Sequence, residues 1–285
     1  MTDSNAFVLL LSCPDRRGIV AAVTRFLFDK GCNIVDSAQF GDRANGQFFL
    51  RIFFLSEKHA TLEALRDGFE SIAADFAMVF SFHDMTRKTR ALLMVSRFGH
   101  CLTDLLYRHR IGALPIEIPL IVSNHRDFED VAAGANIPFL YLPVTAQNKP
   151  GQEARLLGEI AAHRIDLVVL ARYMQVLSAE FSEKLRGRII NIHHSFLPSF
   201  KGARPYQQAH ARGVKLIGAT AHYVTPNLDE GPIIEQAVER VTHALSPEDY
   251  AAVGRDIENV VLARAVKWHA EHRILLNGAR TVIFG

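Results

Sequence analysis

The chain has 285 residues, enough for one large domain or two ordinary ones. Apolar residues make up 49% of it and charged residues 22%, the balance of a soluble globular protein. A formal net charge of +2, spread along the chain, gives no indication of the concentrated basic patch that binds nucleic acid or an anionic membrane. We expect no membrane span and no signal peptide, because no apolar run is long enough and the first residues lack the signal pattern.

The chain has three cysteines, Cys13, Cys32 and Cys101, which are scattered and form no CxxC pair. Such a set argues against a disulfide framework or a thiolate metal site and favours a reducing compartment. We therefore expect a cytoplasmic protein.

The first part of the chain alternates strand-like and helical segments, beginning with a strand-like run over residues 7–12. Apolar side chains recur at helical spacing from Ile19 to Phe28, and Gly31 ends that helix. A hairpin turns at GDRANG, a second helix follows in TLEALRDGFESIAADF, and AMVFSFHD is the last strand. The order β-α-β-β-α-β predicts a ferredoxin-like domain over residues 1–84.

Residues 85–90, MTRKTR, offer no apolar surface to bury and are predicted to be a linker. Beyond them, short apolar runs such as ALLMVS, IEIPLIVS and DLVVLAR alternate with helical segments such as EARLLGEIAAHR. This rhythm predicts a second α/β domain over residues 91–285, with a Rossmann-like, mostly parallel sheet and helices on both faces. Ligands bind such sheets beyond the carboxyl ends of the strands.

Polar side chains end the apolar run IINIHH. Asn191 and His193 are two residues apart in an extended segment, so their side chains share one face, whereas His194 is expected to point to the other and to be structural. Asp229 follows in a loop whose proline and glycine residues have turn chemistry, which fixes the carboxylate. The amide could donate to a developing oxyanion, the imidazole could move protons or stabilise that oxygen, and the carboxylate could orient the ring or hold water. The three groups together predict an acyl-transfer site.

Two other interpretations of these residues stay open on spacing alone. Asn191 could cap its strand while His193 is a hydrogen-bonded interior group. Alternatively His193, His222 and Asp229 could hold zinc or iron, because two imidazoles and a carboxylate suit either metal.

Three motifs, NIHHSFLPSFKG, HYVTPNLDEGPII and LARYMQVLS, resemble those of the folate-dependent formyltransferases over roughly residues 90–285. The resemblance implies a formyltransferase-like domain in which Asn191, His193 and Asp229 form the catalytic trio. The earlier segment CPDRRGIVAAVTRFLFDKGCNIVD is similar to ACT domains, small modules that often bind amino acids and dimerise.

An ACT domain joined to such a domain resembles the members of this family that hydrolyse 10-formyltetrahydrofolate. The resemblance implies attack of water on the formyl carbon, giving formate and tetrahydrofolate without a metal or a permanently bound cofactor. It further implies that formate is supplied to purine synthesis and that one-carbon pools are balanced.

One departure from a related enzyme favours hydrolysis. The resembling glycinamide ribonucleotide formyltransferase has a Gly-Ser-Asn-Leu turn whose backbone N–H groups hold the substrate phosphate. In this chain the matching stretch is SRFGHCLTDLL, where Gly99 is kept but His100 and Cys101 replace the small polar residues. Their bulk makes a phosphate site less favourable. Cys101 stands where a helix start could make a thiol acidic, but we expect a core residue.

The resemblance also places the substrate and a possible effector. It implies that one wall of a pterin slot is formed by Met174, Val176 and Leu177, and the opposite wall by Thr225, Pro226 and Asn227. It also implies that Arg172 or Lys201 lies near the glutamate tail of the folate. It implies an amino-acid effector of the ACT domain near Asp15, Gly18, Asn33 and Ile34, and a homo-oligomer, either a dimer or a tetramer.

Two functions other than hydrolysis are disfavoured for this chain. Transfer to methionyl-tRNA is disfavoured, because no basic tRNA-binding region follows the formyltransferase-like part of the chain. A non-catalytic amino-acid sensor is disfavoured by the intact trio.

Overall fold

The computed structural model describes residues 5–57, 60–197 and 205–285. Contacts divide the chain into two compact units. The first comprises residues 1–88, 271–277 and 281–285, and the second comprises residues 89–270 and 278–280. Among the described residues, no helix is both long and apolar enough to cross a membrane.

The first unit begins with a four-stranded antiparallel sheet and two helices. In the sheet the strands lie in the order β2-β3-β1-β4, which confirms the predicted ferredoxin-like fold. Alternate residues of β1 and β3, such as Leu9 and Leu50, pack with Val23 of the first helix and Phe69 of the second in one core. The elements are β1 (Ala6–Pro14), α1 (Ile19–Asp29), β2 (Cys32–Asp42), β3 (Gln47–Ser56), α2 (Leu62–Phe76) and β4 (Val79–Asp84).

The second unit contains a seven-stranded sheet in the order β11-β10-β9-β8-β5-β6-β7. The strands from β7 to β9 pair in parallel, and β10 and β11 pair antiparallel, which confirms the predicted mostly parallel sheet. Its elements are β5 (Thr89–Val95), α3 (His100–Arg110), β6 (Ile116–Ser123), α4 (Glu129–Gly134), β7 (Phe139–Tyr141), α5 (Lys149–Ala162), β8 (Leu167–Leu170), α6 (Ala179–Lys184), β9 (Ile189–His193), α7 (Pro205–Ala211), β10 (Leu216–Tyr223), β11 (Ile233–Arg240) and α8 (Pro247–Ala270).

The strand order of this sheet reverses at β5. The chain runs from β5 outward to β6 and β7, and then returns to the other side of β5 to form β8 and β9. In open α/β sheets, ligands bind beyond the carboxyl ends of the strands at such a reversal. The loops after β5, β8 and β9 are therefore the part of the second unit where a site is expected.

The last residues form a hairpin that packs within the first unit. Its strands are β12 (Ile274–Asn277) and β13 (Arg280–Ile283). Phe49 of β3 packs with Leu275, Val282 and Phe284 on the sheet face opposite the one that covers Leu50. Arg51, also on that face, donates from Nε to the His272 carbonyl at 2.9 Å. The rhythm of the sequence assigns these residues to the second domain. In the structure they belong to the first unit, because their apolar side chains pack against Phe49 on the outer face of β3.

Candidate active site

The pairing of β9 with its neighbours sets the positions of two polar side chains. Asn191 is paired with Leu170 of β8 on one side and with His222 of β10 on the other. His193 is the last residue of β9. Both side chains line one pocket, as the two-residue spacing predicted.

The loop between β10 and β11 brings Asp229 to the same pocket. Asp229 has a φ of 56°, in the left-handed region that few residues other than glycine adopt. Two residues later, a Cβ on Gly231 would lie 1.7 Å from the carbonyl oxygen of Tyr223, so only glycine allows this close approach. The Tyr223 N–H donates to the Pro232 carbonyl at 2.9 Å, which closes the base of the loop. The carboxylate is therefore held by a constrained backbone.

Asp229 lies between two imidazoles. Its Oδ2 is 3.3 Å from Nδ1 of His193, and its Oδ1 is 3.6 Å from Nε2 of His222. The pKa of Asp229 is held well below its usual range, chiefly by hydrogen bonding to His193. The carboxylate is ionised at any ordinary pH and can orient the His193 ring. The other nitrogen of that ring, Nε2, is buried and has no hydrogen-bond partner within the described part of the chain.

His222 has no catalytic part in the trio predicted from the sequence, yet it touches two of the three predicted groups. Its Nδ1 lies 2.9 Å from the Tyr223 carbonyl, which can only accept, so Nδ1 carries the hydrogen. In the neutral ring Nε2 is then an acceptor, and Nδ2 of Asn191 lies 3.3 Å from it. His222 thereby orients the amide of Asn191. The sequence shows His222 near the end of the strand-like run LIGATAHY. Only the register of β10 with β9 shows that it lies opposite Asn191.

The orientation expected for His194 was wrong. The centroid of its ring lies 5.1 Å from that of His193, and the residue borders the same pocket. Strand β9 ends at His193, so the alternation of side chains that holds within a strand does not extend to the next residue. Burial, followed by the charges of Arg172 and His193, lowers the pKa of His194 to about 4.

The ligand geometry does not support the alternative of zinc or iron on His193, His222 and Asp229. The carboxylate presents a different oxygen to each ring. Among the described residues, the ligand atoms of three candidate side chains come within 4.8 Å of one another only in the group His100, Cys101 and Glu258. In that group Glu258 is already paired with Arg172, which disfavours a cation.

The residues expected to contact the folate border the same open pocket, of about 230 Å³. They are Arg172, Met174, Val176, Leu177, Thr225, Pro226 and Asn227. Met174 and Val176 are 52% and 58% exposed although they are apolar, which leaves surface for a flat ring to cover. On the opposite wall, the Thr225 hydroxyl donates to the Asn227 carbonyl at 3.0 Å.

Arg172 belongs to a buried polar network below this pocket. Its Nε lies 3.4 Å from Oε2 of Glu258, a residue of α8 that is 1% exposed. His100 and Tyr206 contact the same carboxylate at 2.7 and 2.6 Å. Burial favours a higher pKa for Glu258, but hydrogen bonding by His100 and the charge of Arg172 bring that pKa below its ordinary value. Lys201, the other residue expected near the glutamate tail, lies outside the described residues.

The turn before α3 differs from an open anion site. A Cβ on Gly99 would lie 2.1 Å from Cε1 of Phe128, so packing requires this glycine. His100 begins α3 and is bonded to Glu258, a negative group. Cys101 is fully buried, and burial raises the pKa of its thiol well above the ordinary value, so it is the expected core residue.

The residues expected near an effector lie at two places in the first unit. Asp15 and Gly18 are exposed in the loop between β1 and α1, where Gly18 has a φ of 96°. Asn33 is exposed, and Ile34 packs partly on the core at the start of β2, an edge strand.

Comparison with known proteins agrees with both units. The model of the formyl transferase family matches residues 89–266, and that of the ACT domain matches residues 7–67. The chain therefore belongs to the formyl transferase family and has an ACT domain before the family domain.

Individual relatives make the comparison more specific. The chain is 49% identical over 284 residues to a formyltetrahydrofolate deformylase of Corynebacterium sp., covering 99% of each chain. The crystal structure of a formyltetrahydrofolate deformylase from Burkholderia mallei has 53% identity and a TM-score of 0.94, covering 99% of this chain and 100% of that one. A glycinamide ribonucleotide transformylase from Symbiobacterium toebii has 30% identity and a TM-score of 0.67, covering 72% of this chain and 97% of that one.

Proposed function

We propose that this protein is a hydrolase that converts 10-formyltetrahydrofolate and water into formate and tetrahydrofolate. The observation that carries this proposal is the contact between His193 and Asp229 beside Asn191, all in the pocket at the ends of β9 and β10. The names of the full-length relatives support the same activity.

In the proposed mechanism, each group of the trio has one task. Asp229 accepts the Nδ1 hydrogen of His193, which leaves Nε2 free to take a proton from the attacking water. Asn191 has two amide hydrogens, and while one is directed at His222 the other donates to the formyl oxygen as it becomes anionic. The protonated ring then returns the proton to N10 as the C–N bond breaks.

The exposed apolar residues of the pocket would hold the pterin. Met174, Val176 and Leu177 form one wall, and the loop of Thr225, Pro226 and Asn227 forms the other. Arg172 borders the pocket, but its ion pair with Glu258 makes it a component of the floor rather than a free cation for the glutamate tail.

Water is favoured over a phosphorylated amine as the acceptor. At the start of α3, His100 is bonded to the buried carboxylate of Glu258. The bulk of His100 and Cys101, where the related enzyme has small polar residues, leaves a site for the phosphate of a ribonucleotide less favourable. Transfer of the formyl group to such an acceptor is therefore disfavoured.

Formate release from the folate alone tests the proposal. Purified protein is incubated with 10-formyltetrahydrofolate in the presence of a chelator, and formate is measured with and without glycinamide ribonucleotide. We expect stoichiometric formate in both cases. Release that required the amine would indicate transfer, and release abolished by the chelator would indicate a metal.

Replacement of the trio gives a second test. We expect Asn191→Ala, His193→Ala and Asp229→Asn each to lower turnover by roughly 100-fold or more, while His243→Ala, which removes an exposed imidazole, leaves it unchanged. Wild-type rates in all three trio variants would overturn the mechanism and support a non-catalytic sensor.

The ACT domain would bind an amino acid and join copies of the chain. Asp15 and Gly18 form an exposed loop before α1, where the backbone N–H groups of a helix start could meet a carboxylate. Strand β2 lies at the edge of its sheet, where a second copy could pair. Thermal shifts with a panel of amino acids and the mass of the protein in solution test these two proposals.

The setting proposed for this activity is the cytoplasm, with the formate serving purine synthesis. Cys13, Cys32 and Cys101 are free thiols, which suits a reducing compartment.

A further inference from the structure

A hydrolase of this kind must hold a water molecule beside the formyl carbon as firmly as it holds the folate. We propose that His194 performs this task by accepting a hydrogen bond from the attacking water. The proposal rests on the proposed hydrolytic function and adds a residue that the trio does not include.

The position of His194 supports this role. The residue borders the pocket together with Asn191 and His193. The centroids of the His193 and His194 rings are 5.1 Å apart, and the ring planes are inclined at 36°. Two rings at this separation can each direct a nitrogen at one shared water molecule. The nucleophile is thereby placed next to the group that takes its proton.

The surroundings of His194 keep its ring neutral. Burial, then the charges of Arg172 and His193, lower its pKa to about 4, against the opposing effect of Glu258 and Asp229. A neutral imidazole has one N–H donor and one acceptor nitrogen, whereas the protonated ring has no acceptor. His194 therefore keeps a lone pair available for water throughout the neutral range, while it is too weak a base to take the proton itself.

The buried network around Glu258 fixes the position of Arg172, the cation that contributes to the low pKa of His194. Arg172 has a φ of 65°, and Glu258 holds its guanidinium 3.4 Å away. Tyr206 bonds to the same carboxylate, and its ring centroid lies 6.3 Å from that of His194. A Cβ on Gly254 would lie 2.1 Å from Cζ of Tyr206, so the tyrosine is packed tightly against α8. His194 thus lies against a rigid support.

The reaction balances with the two rings in different roles. One hydrogen of the water is directed at the acceptor nitrogen of His194, and the other passes to Nε2 of His193 as the oxygen forms a bond to the formyl carbon. The electrons of the carbonyl move to its oxygen, which Asn191 stabilises. When the C–N bond breaks, His193 returns its proton to N10. The formic acid released then loses a proton to solvent, and His194 ends as it began.

The test compares water with a nucleophile that needs no positioning by an acceptor. His194→Leu removes the acceptor, and His194→Gln restores one through its side-chain oxygen. Hydrolysis and transfer of the formyl group to added hydroxylamine are measured for both variants and for the wild type. His83→Leu is the matched control, because His83 is another histidine whose pKa burial lowers to about 4, and it lies in the first unit.

We expect His194→Leu to lower kcat for hydrolysis by about 100-fold or more, the usual effect of a misplaced reacting group. KM and the rate with hydroxylamine should stay close to those of the wild type, and His194→Gln should recover part of the hydrolysis. An equal loss with water and hydroxylamine in both variants, or unchanged hydrolysis in His194→Leu, would overturn the proposal. If His194→Leu does not fold, the test uses the ratio of the hydrolysis rate to the hydroxylamine rate in His194→Gln. A ratio below that of the wild type supports the proposal, and an unchanged ratio overturns it. Formate release by the wild type tests the proposed function separately.

Discussion

Asn191 and His222 face each other across the β9–β10 pair, and Nδ2 of Asn191 lies 3.3 Å from Nε2 of His222. Because the Nδ1 hydrogen of His222 is directed at the Tyr223 carbonyl, the ring is fixed in one tautomer and accepts from the amide. A residue outside the predicted trio therefore determines which way the amide of Asn191, the proposed oxyanion donor, points.

Replacement of His222 should lower the rate without weakening binding. In His222→Ala the amide of Asn191 loses its partner, and we expect kcat to fall by up to about 100-fold, with little change in KM. Steady-state kinetics of formate release measures both constants. His243→Ala, an exposed imidazole, is the control, and a wild-type kcat in His222→Ala would show that the contact has no catalytic role.

Asp229 should not produce the acid limb of the pH–rate profile. Its pKa is held well below the usual range, chiefly by hydrogen bonding to His193, so the carboxylate stays ionised down to at least about pH 4. Any fall of kcat/KM between neutral pH and pH 4 should therefore not come from protonation of Asp229. In Asp229→Asn we expect a loss of roughly 100-fold or more at every pH, because the His193 ring is no longer oriented. A wild-type rate at high pH in this variant would contradict that assignment.

Gly231 should tolerate no side chain. A Cβ there would lie 1.7 Å from the Tyr223 carbonyl oxygen, so Gly231→Ala must shift the loop that carries Asp229. We expect most activity to be lost together with a lower thermal midpoint.

Gly151→Ala provides the matched control for that change. Gly151 lies in α5, and a Cβ added there would meet no other atom within 4 Å, so alanine should raise stability by up to about 1 kcal/mol. Equal activity in the two alanine variants would show that the loop adapts.

The buried ion pair of the second unit should show strong coupling. Glu258→Met leaves Arg172 without its counter-charge, and removing one partner of a buried pair costs roughly 3–5 kcal/mol. The double variant with Arg172→Met and Glu258→Met should recover much of this loss. Denaturant unfolding of the single and double variants measures the coupling, and additive effects would contradict it.

The first unit should lose stability as the pH falls below neutrality. Burial lowers the pKa of His83 from 6.5 to about 4, and its ring stacks on His272 with centroids 3.7 Å apart. Between these two pH values the unfolded chain binds a proton that the folded chain does not, so unfolding becomes easier, by on the order of 2 kcal/mol. Calorimetry from pH 8 to pH 4 should show a flatter dependence for His83→Gln. An unchanged slope would mean that other groups cause the loss.

Local sequence patterns were sufficient for most of the fold. The helical spacing from Ile19 to Phe28 and the turn at GDRANG depend only on neighbouring residues, and both elements are present in the structure. The two-residue spacing of Asn191 and His193 likewise places both in one pocket, because side chains alternate along a strand. His194 failed the same argument, since alternation holds only where the strand continues.

The sequence by itself determined the two α/β units, the end of the sheet where the site lies, and the three groups that the site brings together. Only the tertiary structure decided that His222 orients Asn191, that Glu258 of α8 supports Arg172, and that the last hairpin covers β3. These relationships join residues far apart in the chain. They depend on strand register and on packing between elements, which a local periodicity does not encode.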